Sequence, residues 1–208
     1  MSLSKHELFQ QMLEQINLHH QPEYLPYFEN GEIEQVIVHK KSKLWSFQFV
    51  FDNVLPFEVF TALMNHMKIK FQSIATIDFQ IKTRKPILTN ESILDYWETV
   101  VQRSNISSPL VLSLFAKHTP VVLDNKVVIS VENEITKNHL ADNYLSIIQQ
   151  NYLVLGFPSF QITIEVDEAA SEARMAQYLA RKQEQDEMLV KQAEEAIKQN
   201  QQDRQRSD

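Results

Sequence analysis

Glycines and histidines come first, because phosphate cradles are built from the former and many metal and proton-transfer sites from the latter. The chain has two glycines in 208 residues, Gly31 and Gly156. A P-loop or a dinucleotide fingerprint needs several at fixed spacing, so both are excluded. Cysteine is absent, which removes disulfides, thiolate nucleophiles and cysteine-based zinc sites together and fits a reducing compartment. Of the seven histidines, His19 and His20 are adjacent and should project differently, while His39, His66, His118 and His139 are isolated in sequence. Metal sites generally show paired ligand spacing, so each reads as an ordinary surface or half-buried side chain. No G-x-S-x-G, H-E-x-x-H or EF-hand pattern occurs, and the carboxylates are scattered on polar faces without a partner for acid–base work. No catalytic, cofactor-binding or metal-binding residue is expected.

Two features invite a binding role. Lys40, Lys41 and Lys43 crowd the turn between two expected strands, with Lys82, Arg84 and Lys85 as candidates for the same patch. Such a patch could touch phosphate or an acidic partner; a solvated, charged turn is the plainer reading. Trp97 could anchor a partner, since Trp is enriched at interface hot spots; its plainer reading is core packing beside Ile93 and Val101.

Composition sets the outer limits. Hydrophobic residues make up 43% and charged residues 23%, the mixture of a soluble globular protein. No apolar run approaches the roughly 20 residues that cross a bilayer, and the start lacks a signal peptide's apolar stretch. A cytoplasmic location with no membrane contact is expected. The net charge of −7 is uneven: residues 1–85 are neutral, 86–167 carry −5 and 168–208 carry −2. Nucleic-acid binding relies on cationic surface, which makes the middle segment a poor candidate for it.

The elements that would position these residues follow from periodicity. Ser4 and Glu7 form the S-x-x-E of a capping box before a helix carrying Leu8, Met12 and Ile16. Two strands, Ile33 to His39 and Leu44 to Phe51, should form a hairpin, with Trp45, Phe47, Phe49 and Phe51 on one face. Pro56 suits the first turn of a helix bearing Phe57, Phe60, Met64, Met67 and Phe71. A strand with Ile77, Phe79 and Ile81 follows. The polar stretch Lys82 to Pro86 is the expected boundary.

The second half repeats that order. Thr89 or Asn90 can cap a helix bearing Ile93, Leu94, Trp97, Val100 and Val101, and Ser108-Pro109 opens another. Val121–Leu123 and Lys126–Val131 flank a tight turn at Asp124-Asn125. One helix should run from Asn133, its cap, to about Leu155, with Ile135, Leu140, Tyr144 and Ile148 inward and Gly156 ending it in a left-handed conformation. The strand Phe160–Val166 closes the half. From Glu168 the composition favours a single charged helix, solvated or paired as a coiled coil, with Gln199 to Asp208 disordered. The fold class is therefore α+β: two small domains, 1–85 and 86–167, each a hairpin, helix and strand preceded by helical material, then a helical linker over 168–208. At about 80 residues each half is marginal alone and should pack on the other or on a partner.

The stretch Val128-Ile129-Ser130-Val131-Glu132-Asn133, continuing through Tyr144 to Ile148, resembles the N-terminal domain of the initiator DnaA and the last domain of the clamp-loader tau subunit. Trp97, in the first helix of this half, fits the same pattern. Over nearly its whole length the chain resembles the N-terminal region of PolC-type DNA polymerase III alpha subunits of Gram-positive bacteria. That resemblance implies a truncated KH-like fold for the second domain, without the GxxG loop that grips nucleic acid. It implies a non-catalytic region that docks replisome proteins. It also implies a chain continuing beyond Asp208 into a DNA-directed DNA polymerase with a 3′–5′ exonuclease, which needs magnesium and meets DNA downstream. The alternatives are a single-stranded DNA or primer-template binding module acting through Lys40, Lys41 and Lys43, and a freestanding replication adaptor.

Overall fold

Aromatic side chains alternating with Ser46, Gln48 and Val50 along Leu44–Phe51 fix the centre of the first half. In the computed structural model, which describes residues 2–123 and 126–205, this stretch is strand β2. It pairs antiparallel with β1 (Glu32–His39) and parallel with β3 (Thr76–Thr83), giving the order β1-β2-β3. A hairpin suffices for the first pairing, whereas the second requires a crossover, supplied by α3 (Phe57–Phe71). Phe47, Phe49 and Phe51 are buried, as are Ile77, Phe79 and Ile81 on β3. Above this face lie α3 and the opening helix α1 (Lys5–Gln15), followed by the short α2 (Leu25–Phe28). The Ser4–Glu7 capping box is formed in both directions. The buried side of α1 is Phe9, Met12, Leu13 and Ile16, with Leu8 exposed rather than inward. Phe9 meets Phe28, Phe49 and Phe51 edge-on at 5.5–5.9 Å. Gly31 permits this approach, because a Cβ there would lie 2.4 Å from the Phe9 ring. Pro56 is the N-cap of α3, one position before the expected first turn.

The second half has the same topology. Strands β4 (Val121–Leu123), β5 (Lys126–Val131) and β6 (Gln161–Val166) lie in that order, β4-β5 antiparallel and β5-β6 parallel. The expected turn at Asp124-Asn125 lies outside the described residues. Helix α4 (Asn90–Arg103) is capped by Thr89, and α5 (Pro109–Lys117) by Ser108. Tyr96 joins Ile93, Trp97, Val100 and Val101 on the buried side of α4, while Leu94 is exposed.

The crossover is two helices, not one: α6 (Glu134–Asn143) and α7 (Leu145–Val154) are separated by Tyr144, whose φ of −126° leaves the helical region. The break lets α6 pack on its own sheet while α7 turns toward α4 and β3. Ile135 is 83% exposed. A spacing of five residues puts it about 140° around the helix from Leu140, so the two cannot share a face. Gly156 ends α7 at φ +92°, the left-handed conformation that a C-terminal glycine permits.

One hydrophobic core runs through both halves. Tyr96 is its centrepiece: the ring contacts Phe57 and Phe60 of α3 and Phe157 of the second half at 5.0–5.2 Å. Its hydroxyl donates to the Leu55 carbonyl at 2.7 Å. The free edge of β3 meets the end of α7 through an Ile81–Leu155 bridge, and the Thr83 hydroxyl donates to the Gly156 carbonyl. Arg103 reaches Asp78 at 3.4 Å and the Phe79 carbonyl at 3.3 Å.

From Glu168 the chain is one helix, α8, through Gln205. Gln199 to Gln205, expected to be disordered, continue this helix. A run of Gln, Lys, Asp and Arg without glycine or proline has high helix propensity, which outweighs its lack of apolar residues. The side chains of α8 are exposed wherever they are described.

Candidate functional site

Trp97 lies inward on α4, where α5 covers it. It is 6% exposed, its ring meets Phe115 edge-on at 5.7 Å, and its Nε1 donates to the Phe115 carbonyl at 3.0 Å. A buried indole with its N–H satisfied is a packing residue. Contact with a partner would require the ring to leave the core.

Lys40, Lys41 and Lys43 are exposed at the β1–β2 turn, with Lys43 at φ +50°. Lys82, Arg84 and Lys85 do not join them. Parallel pairing sets Leu44 against Thr76 and Val50 against Lys82, so the second group lies at the opposite end of the sheet, about 20 Å away at a strand's rise per residue. There two of its three charges are engaged: Lys82 with Glu34 at 2.6 Å, and Arg84 with Glu32 at 3.1 Å and Asp52 at 2.9 Å. Hydrogen bonds from Asn30 and then Arg84 hold the Asp52 carboxyl below the usual aspartate range.

Instead, the hairpin lysines have neighbours that periodicity did not reveal. The ring of Phe71, in the last turn of α3, lies 5.5 Å from Trp45 and 5.8 Å from Phe47, and the Thr76 amide donates to the Lys43 carbonyl at 2.8 Å. Lys68 and Lys70, both exposed, flank this end of α3. Residues 35–51 and 59–77 together hold five lysines and no Asp or Glu. The neutral first half is therefore polarised, cationic at the turn and ion-paired at the far end. The two acid-free runs carry this polarity in the sequence, although the charges over 1–85 sum to zero.

The histidines are dispersed among structural contacts. A ring nitrogen of His6 lies 2.9 Å from the Gly31 carbonyl, and one of His66 lies 2.7 Å from the Ile16 carbonyl. The rings of His19 and His20 lie 3.4 Å apart, contrary to the expected divergence. Among the described residues no group of three or more His, Asp or Glu is arranged to hold a metal ion, and no helix is long and apolar enough to cross a membrane.

The described residues thus form a duplicated hairpin–helix–strand body of the mixed α and β class, followed by a long charged helix. Residues 8–81 match the family described as DNA polymerase III polC-type N-terminus I, and residues 95–208 match N-terminus II. The chain belongs to this family, as an N-terminal region of PolC-type DNA polymerase III. It is 44% identical over 172 residues to the DNA polymerase III PolC-type of Latilactobacillus sakei subsp. sakei strain 23K, covering 83% of this chain and 12% of that relative. The Pediococcus pentosaceus protein of the same name is 35% identical over 198 residues, covering 95% and 14%. That of Bacillus subtilis strain 168 is 31% identical over 158 residues, covering 76% and 11%. The chain thus spans only 11% to 14% of the length of these relatives. No solved structure matches it.

Proposed function

We propose that this chain is the non-catalytic, protein-docking N-terminal region of a replicative DNA polymerase. In this reading residues 1–85 and 86–167 are its two domains, the second a truncated KH-like module, and 168–208 is a helical spacer. The full-length chain would be a cytoplasmic DNA-directed DNA polymerase with 3′–5′ exonuclease activity, its magnesium ions and DNA held downstream.

The observation that carries the docking role is the pairing of family membership with the surface of the second half. That half has a net charge of −5 yet exposes Leu110, Val121 and Leu123. Aliphatic side chains in an acidic setting favour a protein over phosphate. Purified replisome proteins of the source organism, passed one at a time over the immobilised 208-residue chain, test the idea. At least one should bind with a Kd of about a micromolar or tighter. Binding by none of them, alongside tight single-stranded DNA binding with steep salt dependence, would overturn it.

The lysine-rich end of the first half supports a second reading, single-stranded DNA or primer-template binding through Lys40, Lys41 and Lys43. Reversing these three charges should abolish DNA retention in that case and leave protein capture through the second half intact.

A further inference from the structure

Strand β1 is an edge of its sheet, and its outer side pairs with no other strand among the described residues. Edge strands are normally blunted by charge, proline or a bulge, because their free N–H and C=O groups template pairing. In β1 those devices are confined to one end: the bulge lies between Ile33 and Gln35, and the ion-paired Glu34 sits within it. From Gln35 to His39 there is no Asp, Glu, Lys, Arg or Pro.

The side chains of that open stretch are equally unfinished. Val36 pairs with Phe47 and Val38 with Trp45, so both valines belong to the face that α1 and α3 cover elsewhere. They are nevertheless 40% and 46% exposed. The core face therefore runs out past its helices and ends in a strip of aliphatic surface. Beside it stands the cationic turn, whose lysines have no ion-pair partner among the described residues within 4.0 Å.

We infer that the outer edge of β1 from Gln35 to His39 receives an extended, acidic segment of a partner protein as an added strand. The inference rests on the docking reading and adds to the surface of the second half a second, separate one. Three features converge. The free backbone groups match a peptide's, alternate apolar side chains of the incoming strand would cover Val36 and Val38, and its carboxylates, on the other face, would lie beside the turn lysines Lys40, Lys41 and Lys43. Single-stranded nucleic acid fits less well. Bases need open aromatic faces to stack on, whereas Trp45 and Phe71 are packed against one another and the exposed surface is aliphatic.

Panning a random peptide library against the immobilised chain provides the test. Enriched peptides should alternate apolar residues with Asp or Glu. A synthetic representative should slow amide exchange within Gln35–His39. The variant V36E/V38E and the separate variant K40E/K41E, each with an unchanged melting temperature, should weaken binding at least about tenfold. The turn variant keeps the test decisive if the strand variant misfolds. The matching substitution Y178E/L179E on α8 should have no effect. Enrichment of peptides without acidic alternation, or binding undiminished in the folded variants, would overturn the assignment, as would displacement of the peptide by oligo-dT. If the enriched peptide binds V36E/V38E and K40E/K41E as it binds the unaltered chain while a replisome protein is still captured, the edge is wrong and docking stands. If no replisome protein is captured while the acidic peptide binds as described, the edge stands and the replisome reading falls.

Discussion

Tyr96 and Tyr152 are the two phenols that the fold buries completely, and each uses its hydroxyl to tie one element to another. Tyr96 donates to the Leu55 carbonyl and Tyr152 to the Ile93 carbonyl at 2.8 Å. Burial pushes both phenols well above the ordinary tyrosine value, with the Asp95 charge adding to the effect on Tyr96. The unfolded chain ionises near pH 10. The contribution of these groups is therefore complete below about pH 10 and declines above it, by up to about 1.4 kcal/mol per pH unit for each. Urea midpoints should fall between about pH 9 and pH 11, and less steeply in Y96F/Y152F; equal slopes would contradict the assignment. Trp97 offers a second test at this scale. Trp97→Ala should cost about 3–5 kcal/mol, since it opens a cavity and strands the Phe115 carbonyl, and an unchanged melting temperature would reject the core role.

At the scale of elements, the join between α7 and β6 is the most constrained. Gly156 combines φ +92° with close packing, because an added Cβ would lie 2.9 Å from methyl carbons of both Ile81 and Thr83. Gly156→Ala should destabilise by about 1–3 kcal/mol; a neutral result in thermal denaturation would mean that the turn can relax. Asn133 caps α6 through the Thr136 amide at 2.8 Å, as its position before Glu134 implied. The interruption at Tyr144 could not be read the same way. Helical periodicity registers one face at a time, whereas α6 and α7 serve two different neighbours, and which neighbour lies where is settled only by packing.

For the whole molecule, the shared core makes a specific prediction about cooperativity. Trp45 reports on the first half and Trp97 on the second, so W45F and W97F variants each leave one probe. Both probes should give the same urea midpoint, because neither half can shed Tyr96, Leu155 or Phe157 without exposing the other. Two separated transitions would show that the halves are independent domains joined at Lys82 to Pro86.

Local chemistry was enough to place much of this protein. Capping side chains at Ser4, Thr89, Ser108 and Asn133, alternation along β2 and β3, and the glycine after α7 act over a few residues, so the sequence determined most of the elements and their repeated order. Glycine scarcity and the missing cysteines likewise ruled out whole classes of chemistry before any fold was known. What lies between distant residues was decided only by tertiary structure. Parallel pairing of β2 with β3 sent Lys82 and Arg84 away from the lysine turn, and the reach of α1 and α3 left Val36 and Val38 uncovered. The burial of Trp97 depended on α5, and the fusion of two marginal halves into one core depended on Tyr96 meeting Leu55. The physical reason is common to all of them: a side chain's exposure depends on which element covers it, and that cover comes from residues tens of positions away.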